Sequence, residues 1–431
     1  MLRHRVATFA SIVVAAGVTL LAGTPDVGAQ ASPDPTYSVA TETLDAALDC
    51  DAFTHPDKEP VLLVHGTFTS GHEQWDWNYG VLLRETGHDV CVVTYPDRGL
   101  GDQQTSAEYI ARAVQRIHAE SGRKVDMVGH SQGASMPRWA VKWWPSVQEA
   151  LDDFVLLAGP VHGTSLVSGA LPTGMPPAFF QFDPSSEFVR VLNEGDETPG
   201  AVDYTSIYTR YDELVQPVDP PTAALDPGLD NPKVANILLQ DVCPGNVSDH
   251  VTIGTIDRLT QILTLDALDN DGPTDVGRVG VDPLLCALEG LYVVPDTFVN
   301  LVDQFERSAA GGLPGVELVT EEPALRDYAV GSPDTDDAGP GDADTPTAPD
   351  TAVPSTADTG APVAVVTPST ASRSERTLAA TGRAIPILAA GVAIGVALLL
   401  RMGRSRLDDL PPDDRRSDAG SPDVDPSDTD G

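Results

Sequence analysis

The chain has 431 residues, with 64 Asp and Glu against 26 Lys and Arg, for a formal net charge of −38. That charge repels phosphate backbones, and no basic footprint interrupts it in the body of the chain, so nucleic acid binding is excluded. The length exceeds one ordinary domain, and local composition has to draw the boundaries.

The basic start Met1–Arg5 leads into the apolar run Val6–Gly23 and then into small residues ending at Ala29. That order predicts a secretory signal peptide over residues 1–29, cleaved after Ala29, with Ala29-Gln-Ala31 as a second site and an uncleaved membrane anchor as the lesser alternative. Export permits disulfides, so Cys50, Cys91, Cys243 and Cys286 read as a framework. Three pairings are open, and joining neighbours in sequence, which closes two loops of similar size, is the expected one. No Cys-x-x-Cys or His-Glu-x-x-His spacing occurs, and neither metal nor cofactor is expected.

From residue 41 the pattern alternates. Val61–Val64, Val90–Thr94 and Lys124–Val128 read as short strands. Between the last two, Thr105–Glu120 carries Ile110, Ala113, Val114 and Ile117 at helical spacing, with Thr105 and Glu108 as a capping box. Phe154–Ala158 and Tyr204–Thr209 add strands. Strand, helix, strand implies right-handed crossovers and a mostly parallel sheet with helices on both faces, one α/β domain over residues 41–330.

Within it, Gly129-His-Ser131-Gln-Gly133 ends one strand and runs into an expected helix, Ala134–Trp144. Glycines on either side permit a tight strand-to-helix turn that projects the Ser131 hydroxyl from the sheet's carboxyl edge. This is the context that the nucleophile elbow of an α/β-hydrolase fold needs, and such a fold is expected. A hydroxyl needs a base, and in that fold the acid and then the histidine follow the nucleophile along the chain. Of nine histidines only His250 lies beyond residue 162. The acid is expected at Asp212, directly after the strand ending near Thr209, with Glu213 and Asp249 as adjacent competitors. Val61–Val64 runs into His65-Gly66-Thr67, where this fold supplies an oxyanion donor. Thr67 and Gln132 N–H are the expected pair, His65 orders the turn, and His130 lines the site.

After residue 330 the composition changes. Residues 331–372 hold seven Asp and no Lys, Arg, Leu or aromatic residue, too little apolar content to bury a core. An acidic, disordered stalk is expected over 331–377. Leu378-Ala-Ala-Thr-Gly382 resembles the LAxTG form of a sortase signal. It precedes the apolar run Ala384–Leu400 and the basic residues Arg401, Arg404 and Arg406. The run reads as a membrane span with its basic end in the cytoplasm, followed by an acidic tail, 407–431. The catalytic body is therefore expected outside the cell, held at its own membrane or on the cell wall.

The ordered motifs of the body resemble the lipase B family of the Candida antarctica type. They are Leu62-Leu-Val-x-Gly66-Thr67, Ser131-Gln-Gly133, an aromatic helix ending at Pro145-Ser146, Gly163-Thr164, Tyr211-Asp212-Glu-x-Val215-Gln-Pro217, Val242-Cys243 and Asp249-His250. The resemblance implies a lipid ester hydrolase with a Ser131, Asp212 and His250 triad and an oxyanion hole at Thr67 and Gln132, where the Thr67 hydroxyl also donates. It further implies disulfides Cys50 to Cys91 and Cys243 to Cys286, with apolar pocket walls from Gly169–Phe182 and Thr297–Arg307. His130 replaces the family's tryptophan beside the nucleophile, a third disulfide is absent, and the stalk has no counterpart. Two other readings use the same residues: an acyltransferase or polyester hydrolase with this triad, and a surface binding module on an inactive hydrolase fold.

Overall fold

The computed structural model describes residues 33–168, 174–225, 231–282, 286 and 316–330. All but Pro33 belong to one compact unit that begins at Asp34. The expected signal segment, stalk, sortase-like motif, span 384–400 and tail lie outside the described residues, as do Gly169–Thr173 and Thr297–Arg307 of the expected pocket walls. Among the described residues no helix is long and apolar enough to cross a membrane.

Seven strands form one sheet: β1 (Leu48–Cys50), β2 (Val61–Val64), β3 (Val90–Val93), β4 (Val125–His130), β5 (Leu151–Leu157), β6 (Asp203–Tyr208) and β7 (Val234–Leu238). Their order is β1-β3-β2-β4-β5-β6-β7. Every neighbouring pair is parallel except β1 with β3. All residues of β2, β3 and β4 are buried; β2 and β3 read as unbroken apolar runs because both faces are covered, while β4 also buries Asp126 and His130. Leu62 and Val64 enter a core shared with helices Gln103–Ser121 and Pro137–Trp143. Val61 and Leu63 face the opposite way, onto Trp75, Tyr79, Leu83 and helix Arg258–Leu268. Each such side chain stabilises the fold by roughly 1.5–3 kcal/mol. The carboxyl ends of β2, β4 and β6 are therefore rigid supports for whatever follows them.

β1 and β7 are not among the expected strands, β5 begins at Leu151 and not at Phe154, and the helices depart as well. The helix before β4 starts at Gln103, where Asp102 caps it by accepting from Gln104 N–H at 3.0 Å. Glu108 does not cap; its carboxylate takes Ser38 N–H and Oγ–H, both at 2.7 Å, tying down the chain before β1. The expected helix Ala134–Trp144 is two, Gln132–Ser135 and Pro137–Trp143, divided where Pro137 lacks an N–H to continue the ladder. At the far end, Tyr328 receives Trp139 Nε1–H at 3.1 Å and Ala329 is buried, so residues 327–330 close over the same core.

Cys50 is joined to Cys91 and Cys243 to Cys286. The first bond links directly opposed residues of β1 and β3, anchoring a three-residue edge strand that has little pairing of its own. It closes a loop with a sequence separation of 41, a constraint on the unfolded chain of roughly 4 kcal/mol. The Cys50→Ser, Cys91→Ser double variant is accordingly expected to lose about that much in urea denaturation. A loss below about 1 kcal/mol would mean that the unfolded chain is not loosened by opening this loop.

Candidate active site

Ser131 stands between β4 and helix Gln132–Ser135 with φ 58° and ψ −124°, a conformation costly for any residue with a Cβ. The surroundings enforce it. Ser131 N–H is held by Leu157 C=O of β5 at 2.9 Å. Gly129 lets the two arms of the turn touch, since a Cβ there would lie 1.8 Å from Gly133 O, and Gly133 lets the helix arm pass against the end of β2, since a Cβ there would lie 2.3 Å from His65 O. The result is a half-exposed hydroxyl on an otherwise buried turn.

His250 opens the short helix His250–Ile253, and its Nε2 is 2.9 Å from Ser131 Oγ. Its Nδ1 lies 2.9 and 3.0 Å from the two Asp212 oxygens. Asp212 follows β6, and a bridge between Tyr211 and Asp249 lays its loop beside that of His250. Leu214 and Val215 N–H donate to Asp212 Oδ1 at 2.9 and 2.7 Å, fixing the carboxylate. The two competing acids are occupied otherwise. Glu213 accepts the His250 backbone N–H at 3.1 Å, and Asp249 caps the helix through Thr252 N–H at 2.8 Å. Burial alone would depress the His250 imidazole; the charge and hydrogen bond of Asp212, helped by Glu213 and Asp249, more than offset it and raise its pKa. Burial also raises the Glu213 carboxyl.

The expected oxyanion donors come together across this centre. Gln132 is the first residue of its helix, so its N–H has no acceptor one turn back. Thr67 Oγ1 donates to Gln132 Oε1 at 3.2 Å, and a Cβ on Gly66 would fall 3.1 Å from Ser131 Cβ, so the two segments pass in contact. His65 is buried and stacked on Tyr95 at 3.8 Å. Burial lowers its pKa to about 4, so the neutral ring donates Nδ1–H to Gly66 C=O at 2.7 Å. Because a trans peptide points C=O and N–H in opposite directions, fixing Gly66 C=O also aims Thr67 N–H. His65 thus orders the turn, as expected.

His130 does not line the site. It is 7% exposed, and its Nε2 lies 2.8 Å from the His250 carbonyl oxygen. Sequence reasoning also missed Gln74, fully enclosed beside it. No spacing or motif marks a glutamine in a five-residue helix, and only the fold reveals its neighbours. Of the expected apolar walls, residues 174–182 are described, and there the Phe179 ring meets Phe68, next to Thr67, edge-on at 6.0 Å. Asp126, Asp152 and Asp153 gather at the opposite, amino-terminal end of the sheet, where burial raises Asp153 to about 9. They take no part in this centre.

A serine hydroxyl, an imidazole and a carboxylate in hydrogen-bonded line on a parallel sheet define a class of protein, and residues 61–371 match the alpha/beta hydrolase family. The chain belongs to that family. Within it the chain is a homologue of lipase B, a carboxylic ester hydrolase. It is 32% identical over 248 residues to lipase B of Pseudozyma antarctica, spanning 56% of this chain and 72% of that protein. The crystal structure of Aspergillus fumigatus lipase B superposes with a TM-score of 0.62 at 32% identity, covering 72% of this chain and 76% of the other.

Proposed function

We propose that the chain hydrolyses lipid esters by two-step acyl transfer. Ser131 Oγ attacks the ester carbonyl while His250 Nε2 takes its proton and passes it to the departing alcohol. Water then attacks the acyl-enzyme by the same route in reverse. Asp212 holds the Nδ1–H tautomer of His250 and stabilises the imidazolium, and Thr67 and Gln132 N–H receive the oxyanion. The observation that carries this reading is the unbroken line from Ser131 Oγ through His250 to Asp212, each contact at 2.9 Å. Preference for lipid esters is supported by the apolar Phe68 and Phe179 beside the oxyanion loop and by the likeness to proteins named lipase B. Two disulfides fit an oxidising compartment. We place the enzyme outside the cell, exported by residues 1–29 and held at the surface through residues 378–406.

The test is fluorophosphonate labelling of the protein followed by hydrolysis of a chain-length series of nitrophenyl esters and triacylglycerols, with alcohol and water competing as acceptors. Labelling together with preference for long chains and for water supports a lipase. Preference for alcohol assigns an acyltransferase, and absence of labelling and of any ester cleavage sinks the catalytic reading.

The pH profile follows from the base. His250 must be neutral to accept the proton, and its pKa in the fold is raised. kcat/KM should therefore fall as pH drops through a midpoint above the ordinary histidine value of about 6.5. An acid limb centred below that value would contradict the upward shift that Asp212 gives His250, and the absence of any acid limb between about pH 5 and 8 would contradict the assignment of His250 as base.

A further inference from the structure

Gln74 and His130 lie outside the triad and both oxyanion donors, yet they connect the two halves of the site. Gly66 N–H donates to Gln74 Oε1 at 2.8 Å, Gln74 Nε2 meets His130 Nδ1 at 3.1 Å, and His130 Nε2 meets His250 C=O at 2.8 Å. The two ends leave no freedom in the middle. A carbonyl only accepts, so His130 carries its proton on Nε2, and its bare Nδ1 then accepts from an amide NH2. A backbone N–H only donates, so Gln74 turns its oxygen to Gly66 and its nitrogen to His130. Every member of the chain is satisfied in one orientation, and reversing any one of them would set donor against donor.

The groups are enclosed. Gln74 is 1% and His130 7% exposed, and a Cβ on Gly254 would lie 2.1 Å from His130 Cδ2, so the ring fills its slot without slack. Burial lowers the pKa of His130 to about 3, so it keeps the neutral form that the chain requires. Buried polar links of this kind specify one geometry because breaking any member leaves an unpaired group in low dielectric.

We propose that Gln74 and His130 are positioning residues that lock the oxyanion loop to the backbone of His250, so that oxyanion donor and base hold one register about Ser131. The tryptophan-to-histidine departure noted in the sequence then supplies the ring nitrogens that link Gln74 to His250. This inference rests on the proposed roles of Ser131, His250 and Thr67.

The test uses Gln74→Met, His130→Phe, His130→Gln and the Gln74→Met, His130→Phe pair in the full chain. kcat and KM are measured well below each variant's melting temperature, and circular dichroism establishes that each is folded. Misregister of reacting groups costs on the order of a hundredfold per ångström. Gln74→Met and His130→Phe should each lower kcat about ten- to hundredfold, with KM changed less than about threefold. The double variant should be no slower than the worse single one, because one chain has been cut. His130→Gln, whose amide reaches the Nε2 position, should recover part of kcat. The acid limb of kcat/KM should move to lower pH in His130→Phe as His250 loosens from Asp212. Wild-type kcat in folded variants, or losses that multiply in the pair, overturns the proposal.

Failure of the underlying catalytic reading looks different: wild-type protein would be inert to fluorophosphonate. The positioning chain then stands or falls on nitrogen-15 spectra of its histidines. A single neutral Nε2–H tautomer of His130 that is perturbed by Gln74→Met upholds the chain, and a tautomer mixture indifferent to Gln74 refutes it.

Discussion

Ser131→Ala is expected to lower ester hydrolysis by about ten-thousandfold or more, with the fold intact and fluorophosphonate labelling abolished. The hydroxyl is the only atom removed. Its one described side-chain partner is His250 Nε2 at 2.9 Å, a contact at the half-exposed surface of the site, so packing barely changes. The strained turn also survives, because alanine keeps the Cβ that makes φ 58° and ψ −124° costly. A corollary separates chemistry from strain. Ser131→Gly should be equally inactive but more stable than Ser131→Ala by about 1 kcal/mol, since glycine alone tolerates that backbone region. Urea denaturation of the two variants beside their kcat values checks both statements. Activity in Ser131→Ala within a hundredfold of wild type would remove Ser131 from the mechanism.

The elbow was legible in the sequence because its constraints are local. The two arms of the turn can touch only if Gly129 lacks a side chain, and the whole Gly-x-Ser-x-Gly pattern lies within five residues; Gly133 makes room for β2 as well. The buried strands β2 and β3 were legible for a similar reason, since cover on both faces demands consecutive apolar residues. Edge strands carry no such demand. β1 has three residues, too few for any period, and β7 is only partly buried. Both owe their conformation to neighbours supplied by distant chain. Helix Arg258–Leu268, by contrast, left a usable signal: Leu259, Leu263 and Ala267 recur every four residues after the capping Asp257. The acid illustrates the limit of sequence logic. Asp212 and Glu213 are adjacent and chemically alike; strand position and the Asp212-Glu-x-Val215-Gln-Pro217 motif favour Asp212 but leave a slip of one residue open. The division comes from direction: one carboxylate faces the imidazole, and its neighbour faces the backbone N–H of the same histidine. His130 and Gln74 lie beyond that limit, for a partner 120 residues away has no signature in either segment.

Asp212→Asn should reduce kcat by about ten-thousandfold at neutral pH, and the hydrogen bonds around the carboxylate say why the loss is so large for so small a change. Leu214 and Val215 N–H both donate to Oδ1. In the variant those donors keep the amide oxygen, and the new NH2 takes the place of Oδ2, 2.9 Å from His250 Nδ1. The oxygen at the Oδ1 position is also 3.0 Å from Nδ1, but both its lone pairs are taken by Leu214 and Val215 N–H; the NH2 donates, so Nδ1 accepts and the imidazole proton moves to Nε2. Nε2–H then donates to Ser131 Oγ instead of taking its proton, and the base is lost while every contact is preserved. The removed charge also withdraws the main influence that raises the His250 pKa, so the residual activity should show its acid limb at lower pH. Two neighbours serve as controls. Glu213→Gln retains an oxygen for the His250 N–H, and Asp249→Asn retains a capping oxygen for Thr252 N–H. Each should keep kcat within about tenfold of wild type. Equal losses in all three variants would mean that the site responds to net charge rather than to the tautomer of His250, and a kcat for Asp212→Asn within tenfold of wild type would return the choice of acid to Glu213 and Asp249.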